Sequence, residues 1–112
     1  MSVIEKAKAH YQNKLSQEPR EIKIPEWDTT AYIKPAMSLQ RLGEVMEAAN
    51  SGKSAEAMVL TIIYRLIDEE GKPIFRKVEK SELMRQTDPD VLAEIVNQIN
   101  QGDPTAEDIE GN

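Results

Sequence analysis

Cysteine is absent from the 112 residues, and histidine, tryptophan and phenylalanine occur once each. Without cysteine there is no disulfide scaffold, no thiolate zinc site and no cysteine nucleophile, and a reducing compartment is the expected setting. A single histidine removes most transition-metal sites. Long apolar runs are missing too: nothing approaches the roughly 18 residues of a membrane span, and the opening MSVIEKAKAHYQ lacks the apolar stretch of a secretory signal. Positive charge is in short supply, with 14 basic against 20 acidic residues and a net charge of −6. No run of lysines or arginines reverses that sign along the sequence, so neither nucleic acid nor membrane is an expected partner. A chain of this length buries one modest core and has no room for separate cofactor and substrate domains. The expectation is a small, acidic, soluble domain inside a cell.

What is present is mostly helical periodicity. Val3, Ile4, Ala7, Tyr11 and Leu15 form a ladder on an amphipathic helix that Pro19 closes. Glu21 to Ile24 and Thr30 to Ile33 alternate at period two around the turn-rich Pro25-Glu26-Trp27-Asp28, which predicts a β-hairpin over about 21–34 with its isoleucines resting on a helix. Ser38 is placed to cap a second helix carrying Leu39, Leu42, Val45, Met46 and Ala49, and Ser54 a third running from Ala55 to Ile67. Ser81 is read as the cap of a short helix with Leu83 and Met84, and Asp88-Pro89-Asp90 as the start of a last one carrying Val91, Leu92, Ile95, Val96 and Ile99. The expected architecture is mainly α with a small β-hairpin, a compact α+β domain of four to five helices spanning 1–102. Its core is drawn from Leu42, Val45, Met46, Val59, Leu60, Ile62, Ile63, Leu66, Leu92, Ile95, Val96 and Ile99. Residues 103–112 hold four carboxylates and no basic residue, and read as a disordered acidic tail.

Chemistry-bearing motifs are scarce. Ser51-Gly52-Lys53-Ser54 looks like the end of a phosphate-binding loop, but the first glycine of that motif falls on Glu47 and a helix stands where a strand should feed the loop. Asp68, Glu69 and Glu70 lack the ligand spacing of a calcium loop. His10 sits on a lysine-rich helix with no partner that would tune it. No catalytic, cofactor-binding or metal-binding residue is assigned, and an enzyme is not expected. Trp27, at the hairpin tip, is the candidate interface anchor, because large aromatics there have few neighbours; the competing reading folds its ring back onto the first or second helix. Asp28, Tyr32 and Arg41 complete the candidate partner-contact set.

The order of elements resembles a known family. The charged first helix, the hairpin from Ile22-Lys23-Ile24-Pro25 to Tyr32-Ile33-Lys34-Pro35 and the lead-in Met37-Ser38-Leu39-Gln40-Arg41 are similar to the tail assembly chaperones of long-tailed bacteriophages. So are the stretch Asp68-Glu69-Glu70-Gly71-Lys72-Pro73-Ile74-Phe75 and the capped last helix; the likeness spans about residues 20–101. The resemblance implies action in the host cytoplasm, absence from the finished virion, and binding of the tape measure protein with recruitment of tail tube subunits around it. It also implies a second, frameshift-extended form, and self-association is a further expectation. No residue-level active site transfers from such a family. The alternative is a small phage-encoded regulatory or inhibitory protein acting on a host protein. A nucleic-acid mimic of that kind needs a dense carboxylate face on the folded core, whereas the charge excess here lies in the tail.

Overall fold

Side-chain caps start three of the helices. In the computed structural model, which describes residues 2–101, the Ser2 hydroxyl accepts from the Glu5 amide and opens α1, Val3–Leu15. Ser38 accepts from Arg41 at 3.3 Å and opens α2, Leu39–Asn50. The Asp88 carboxylate accepts from Asp90 at 2.9 Å ahead of α5, Pro89–Gln101, whose proline occupies the first turn where no amide is needed. Between α1 and α2, β1 (Arg20–Ile24) and β2 (Thr29–Ile33) pair antiparallel around a 3₁₀ turn at Pro25–Trp27. Their alternation sends Ile22, Ile24, Ala31 and Ile33 to one buried face, and α5 packs on β1 through Val91 and Ile95. The Arg20 guanidinium fastens the far end of α5, donating to the carbonyls of Gln98 and, at 3.3 Å, Ile99.

The third helix, α3 (Ser54–Arg65), is the centre of the fold and packs against α2, α4 (Lys80–Gln86) and α5. It stops two residues before the expected Ile67. Leu66 swings to extended geometry, and Leu66–Ile67 becomes β3, antiparallel to Tyr32 and Ile33 on the free edge of β2. The hairpin is thus two strands of a three-stranded sheet in the order β1-β2-β3. Unpaired edge amides explain the early stop, since the Lys34 amide donates to the Arg65 carbonyl at 2.8 Å and strand pairing replaces the last helical turn. The Asp68 to Phe75 stretch then reverses the chain. Asp68 accepts from the amides of Glu70 and Lys72, Gly71 takes φ 86°, and the Ile74 amide returns to the Leu66 carbonyl.

Neither Ser54 nor Ser81 is a cap. The Lys53 amide closes the α2–α3 turn on the Ala48 carbonyl at 2.8 Å, so Ser54 is already helical. A 3₁₀ turn at Lys77–Glu79 starts the fourth helix early and leaves Ser81 inside it. The largest departure concerns α2, where Leu42 and Met46, expected in the core, are exposed. Ala48 is the one buried residue of that helix, with Glu44 and Val45 half-buried beside it. A small buried residue, Ala48, and a three-residue loop bring α2 close to α3 on this polar-edged face, which turns the larger aliphatic stripe outward. The rest of the expected core is inside, Val45 and Val96 only partly. Met37 and Met58 pack on the core, while Met46 and Met84 are exposed. The expected tail, residues 103–112, lies outside the described residues. No helix among the described residues is long and apolar enough to cross a membrane.

Candidate partner-binding surfaces

Two surfaces stand out. The first is apolar. On α2, Leu39, Leu42 and Met46 are 82 %, 40 % and 53 % exposed, and Ala49 extends the same stripe. These positions cluster roughly 130° around the helix from the face that meets α3. In α1 nothing is buried: Val3, Ile4 and Ala7 are exposed, and Tyr11 and Leu15 are half-buried. Two amphipathic helices therefore show aliphatic stripes to solvent, a feature more typical of interaction surfaces than of finished monomers.

The second surface is a groove of about 580 Å³ between α2, the end of α3 and the Gly71–Lys77 segment. Its centre is Tyr64, whose hydroxyl donates to Glu44 Oε2 at 2.6 Å. Lys77 Nζ donates to Glu44 Oε1 at 2.8 Å, and the Arg41 guanidinium lies 4.9 Å from the Tyr64 ring centroid, in cation–π range. The hydrogen bond from Lys77, and then that from Tyr64, hold the Glu44 carboxyl below its ordinary value of 4.5. Burial, followed by the bond to Glu44, pushes the Tyr64 phenol above 10.0, and the bond to Glu44 raises Lys77 above 10.5. A carboxylate so stabilised in its ionised form is a counter-ion and a poor proton acceptor.

Lys34, Arg41, Arg76 and Lys77 line this groove against Glu44 as its one carboxylate. The sequence reading that no basic cluster reverses the acidic sign is corrected here. The four cations come from three separate stretches of chain, and only the β2–α2 junction, α2 and the segment before α4 folding together make them neighbours. A linear scan for charge runs has no way to register that.

The sequence-derived contact residues occupy different places. Trp27 is half-buried and meets Phe75 edge-on, with ring centroids 5.8 Å apart at 86°. Its ring contact is with Phe75, in the segment after β3, and it packs against the core. Asp28 is exposed in left-handed geometry, φ 49°, closing the 3₁₀ turn by donating to the Pro25 carbonyl. Tyr32 is half-buried in β2, between Glu21 and Ile67. Arg41 borders the groove, which Phe75 also lines, so Phe75 links the surroundings of Trp27 and Arg41; Asp28 and Tyr32 lie outside that lining. Lys34, Glu44, Tyr64 and Lys77 were missed. The i, i+3 spacing of Arg41 and Glu44 was the one local hint. Among the described residues no group of three or more histidine, aspartate or glutamate side chains could hold a metal ion.

The described architecture is an α+β domain of five α-helices and a three-stranded antiparallel sheet. It is similar to the solved structure of the bacteriophage HK97 tail assembly chaperone, with a TM-score of 0.61 and 17 % identity over 80 % of this chain and 94 % of that one. The fold implied by the sequence resemblance is thus the fold present. No family model matches the chain, and no curated protein matches it.

Proposed function

We propose that this protein is a phage tail assembly chaperone that binds the tape measure protein through the exposed stripes of α1 and α2 and helps recruit tail tube subunits. The observation that carries the reading is the uncovered Leu39, Leu42 and Met46 stripe on a domain with the tail assembly chaperone fold. A long helical polypeptide exposes apolar stripes until a tube encloses it, and helices that present complementary stripes can cover them. The protein acts in the host cytoplasm, leaves before the virion is finished and performs no chemistry. Self-association lets several copies follow one extended partner. Trp27, Asp28, Tyr32 and Arg41 remain the proposed local contacts outside the stripes.

Co-expression with the tape measure protein of the same phage tests this. The long chain is expected to stay in the soluble fraction and to co-purify. Unchanged tape measure solubility and no co-purification at low salt would overturn the proposal and favour the inhibitor of a host protein instead.

A further inference from the structure

The groove centred on Tyr64 differs in charge from the hollow beside it. Around that smaller hollow, of about 220 Å³, Glu44, Glu47 and Glu56 face Lys53, Lys77 and Lys80, so carboxylates and ammonium groups balance. Around the larger groove Lys34, Arg41, Arg76 and Lys77 stand against Glu44 alone. That carboxylate is already engaged, accepting from the Tyr64 hydroxyl and from Lys77, and Arg76 approaches Glu79 at 3.9 Å. Lys34 and Arg41 form no ion pair within 4.0 Å among the described residues. A chain with a net charge of −6 thus keeps two uncompensated cations around one groove.

The lining narrows the choice of anion. Ile63, Ile67 and Phe75 also border the groove, and a small inorganic anion would leave that apolar surface uncovered. Its volume of about 580 Å³ falls in the range of about 300–1,000 Å³ that encloses drug-sized ligands, room for a few residues of polypeptide. A nucleic acid fits less well. The net charge of the chain repels a phosphate backbone, and the Tyr64 ring meets the Arg41 guanidinium at 4.9 Å where a stacked base would need its face.

We infer that this groove binds an acidic segment of a partner protein, with carboxylates on Lys34 and Arg41 and an aliphatic side chain against Ile63, Ile67 and Phe75. The charges steer and orient the segment, and the aliphatic contact slows its departure. Glu44 holds Tyr64 and Lys77 in place and lowers the positive charge of the groove, so neutralising it strengthens the pull on an anion. The inference does not depend on the tail assembly reading, because this chain and a peptide suffice to test it.

The test titrates the 112-residue chain with a capped five-residue peptide of four glutamates around a central leucine, following backbone amides. At about 20 mM salt the amides of Lys34, Arg41, Tyr64 and Lys77 are expected to shift and to approach saturation by about 5 mM peptide. Affinity is expected to fall at least about tenfold at about 0.5 M salt, and as much in the double variant Lys34→Gln, Arg41→Gln. Lys34→Gln alone, which keeps the contact of Arg41 with Tyr64, should lose about threefold, and Glu44→Gln should gain about threefold by releasing Lys77. A peptide with serine in place of the leucine should bind about fivefold more weakly, and one with lysines in place of the glutamates not at all. No groove shifts by about 5 mM peptide would overturn the inference. So would undiminished binding by a double variant whose amide spectrum is otherwise native, or equal affinity for the leucine and serine peptides. A ten-nucleotide oligouridylate that displaces the peptide at equal concentration would assign the groove to nucleic acid and equally overturn it.

Discussion

Helices α1 and α3 are nearly equal in length and both are rich in aliphatic residues, yet seven residues of α3 are buried and none of α1. The difference lies in what surrounds them. Apolar residues cover α3 nearly all round, so it can meet α2, α4 and α5 at once. The single stripe of α1 competes with lysines on its other faces and finds only partial cover, at Tyr11 and Leu15. Periodicity establishes that a helix will form and which side is apolar. Whether that side is covered within the chain depends on the neighbours the topology supplies, and α2 teaches the same lesson on one element, with one face closed on α3 and an aliphatic stripe left open.

The sharpest way to break this contrast is in the buried helix. Ile62 is fully enclosed, and Ile62→Ala is expected to cost about 2–5 kcal/mol through lost transfer energy and a residual cavity. That corresponds to a melting temperature lower by roughly 10 °C or more in a domain of this size. Val3→Ser with Ile4→Ser on α1 is expected to change stability by no more than about 0.5 kcal/mol. Thermal melts of both variants measure the contrast, and comparable losses would mean that α1 is held in the fold after all.

Trp27→Ala comes next in size. The ring is half-buried against Phe75 and the core, so its removal is expected to cost about 1–3 kcal/mol, of which the edge-on ring contact contributes about 0.5–1.5. Phe75→Leu should lose a similar contact with less cavity. Tape measure binding by Trp27→Ala is interpretable only alongside a melt, and a drop in affinity exceeding the drop in stability assigns the residue to the interface. A fully stable Trp27→Ala protein would contradict the packing of the ring against Phe75 and the core.

Acid should loosen the contacts of α3 with α2 and α4. Glu44 and Glu56 have carboxyl groups held below 4.5, Glu44 mainly by its bond from Lys77 and Glu56 mainly by its bond from Lys80. A lowered folded-state pKa contributes stability that is present above the ordinary value and disappears as pH falls through the folded value. Tyr64 and Lys77 are raised, so their contribution holds below 10.0 and 10.5 and fades only in stronger alkali. Urea midpoints followed against pH are expected to fall below about pH 4.5. The gap between the native protein and Glu44→Gln should narrow over the same range. A gap that stays constant to pH 3 would detach Glu44 from the acid response.

Much of this fold was legible because its signals are local. Caps at Ser38 and Asp88, the period-two alternation of Ile22 and Ile24, and the Asp68–Gly71 reversal each act within a few residues. Strand β3 was not legible, because Leu66 and Ile67 continue a helical pattern and only the free edge of β2, more than thirty residues away in sequence, draws them into a sheet. The groove was hidden for the same reason: Lys34, Arg41 and Lys77 are unremarkable apart and become a charged site only when folded together. The burial of α2 was misplaced because hydrophobicity ranks Leu42 and Met46 above Ala48 for burial, whereas close helix approach favours the smaller side chain.

That misplacement yields the smallest expected effect on stability and the clearest separation of fold from function. Leu39→Ser with Met46→Ser leaves the α2–α3 contact untouched, since Ala48, Val45 and Glu44 carry it. The change in unfolding free energy is expected to stay within about 0.5 kcal/mol, as for other exposed positions, or to be slightly favourable where apolar exposure is relieved. If the stripe meets a helical partner, the same pair of substitutions should weaken capture of the tape measure protein by roughly tenfold or more, since central apolar anchors dominate such contacts. Pull-down titrations beside urea melts separate the outcomes. Loss of stability without loss of capture would place the stripe in the fold. Loss of capture at unchanged stability identifies α2 as a two-faced helix, one face closing the core and the other working outside it.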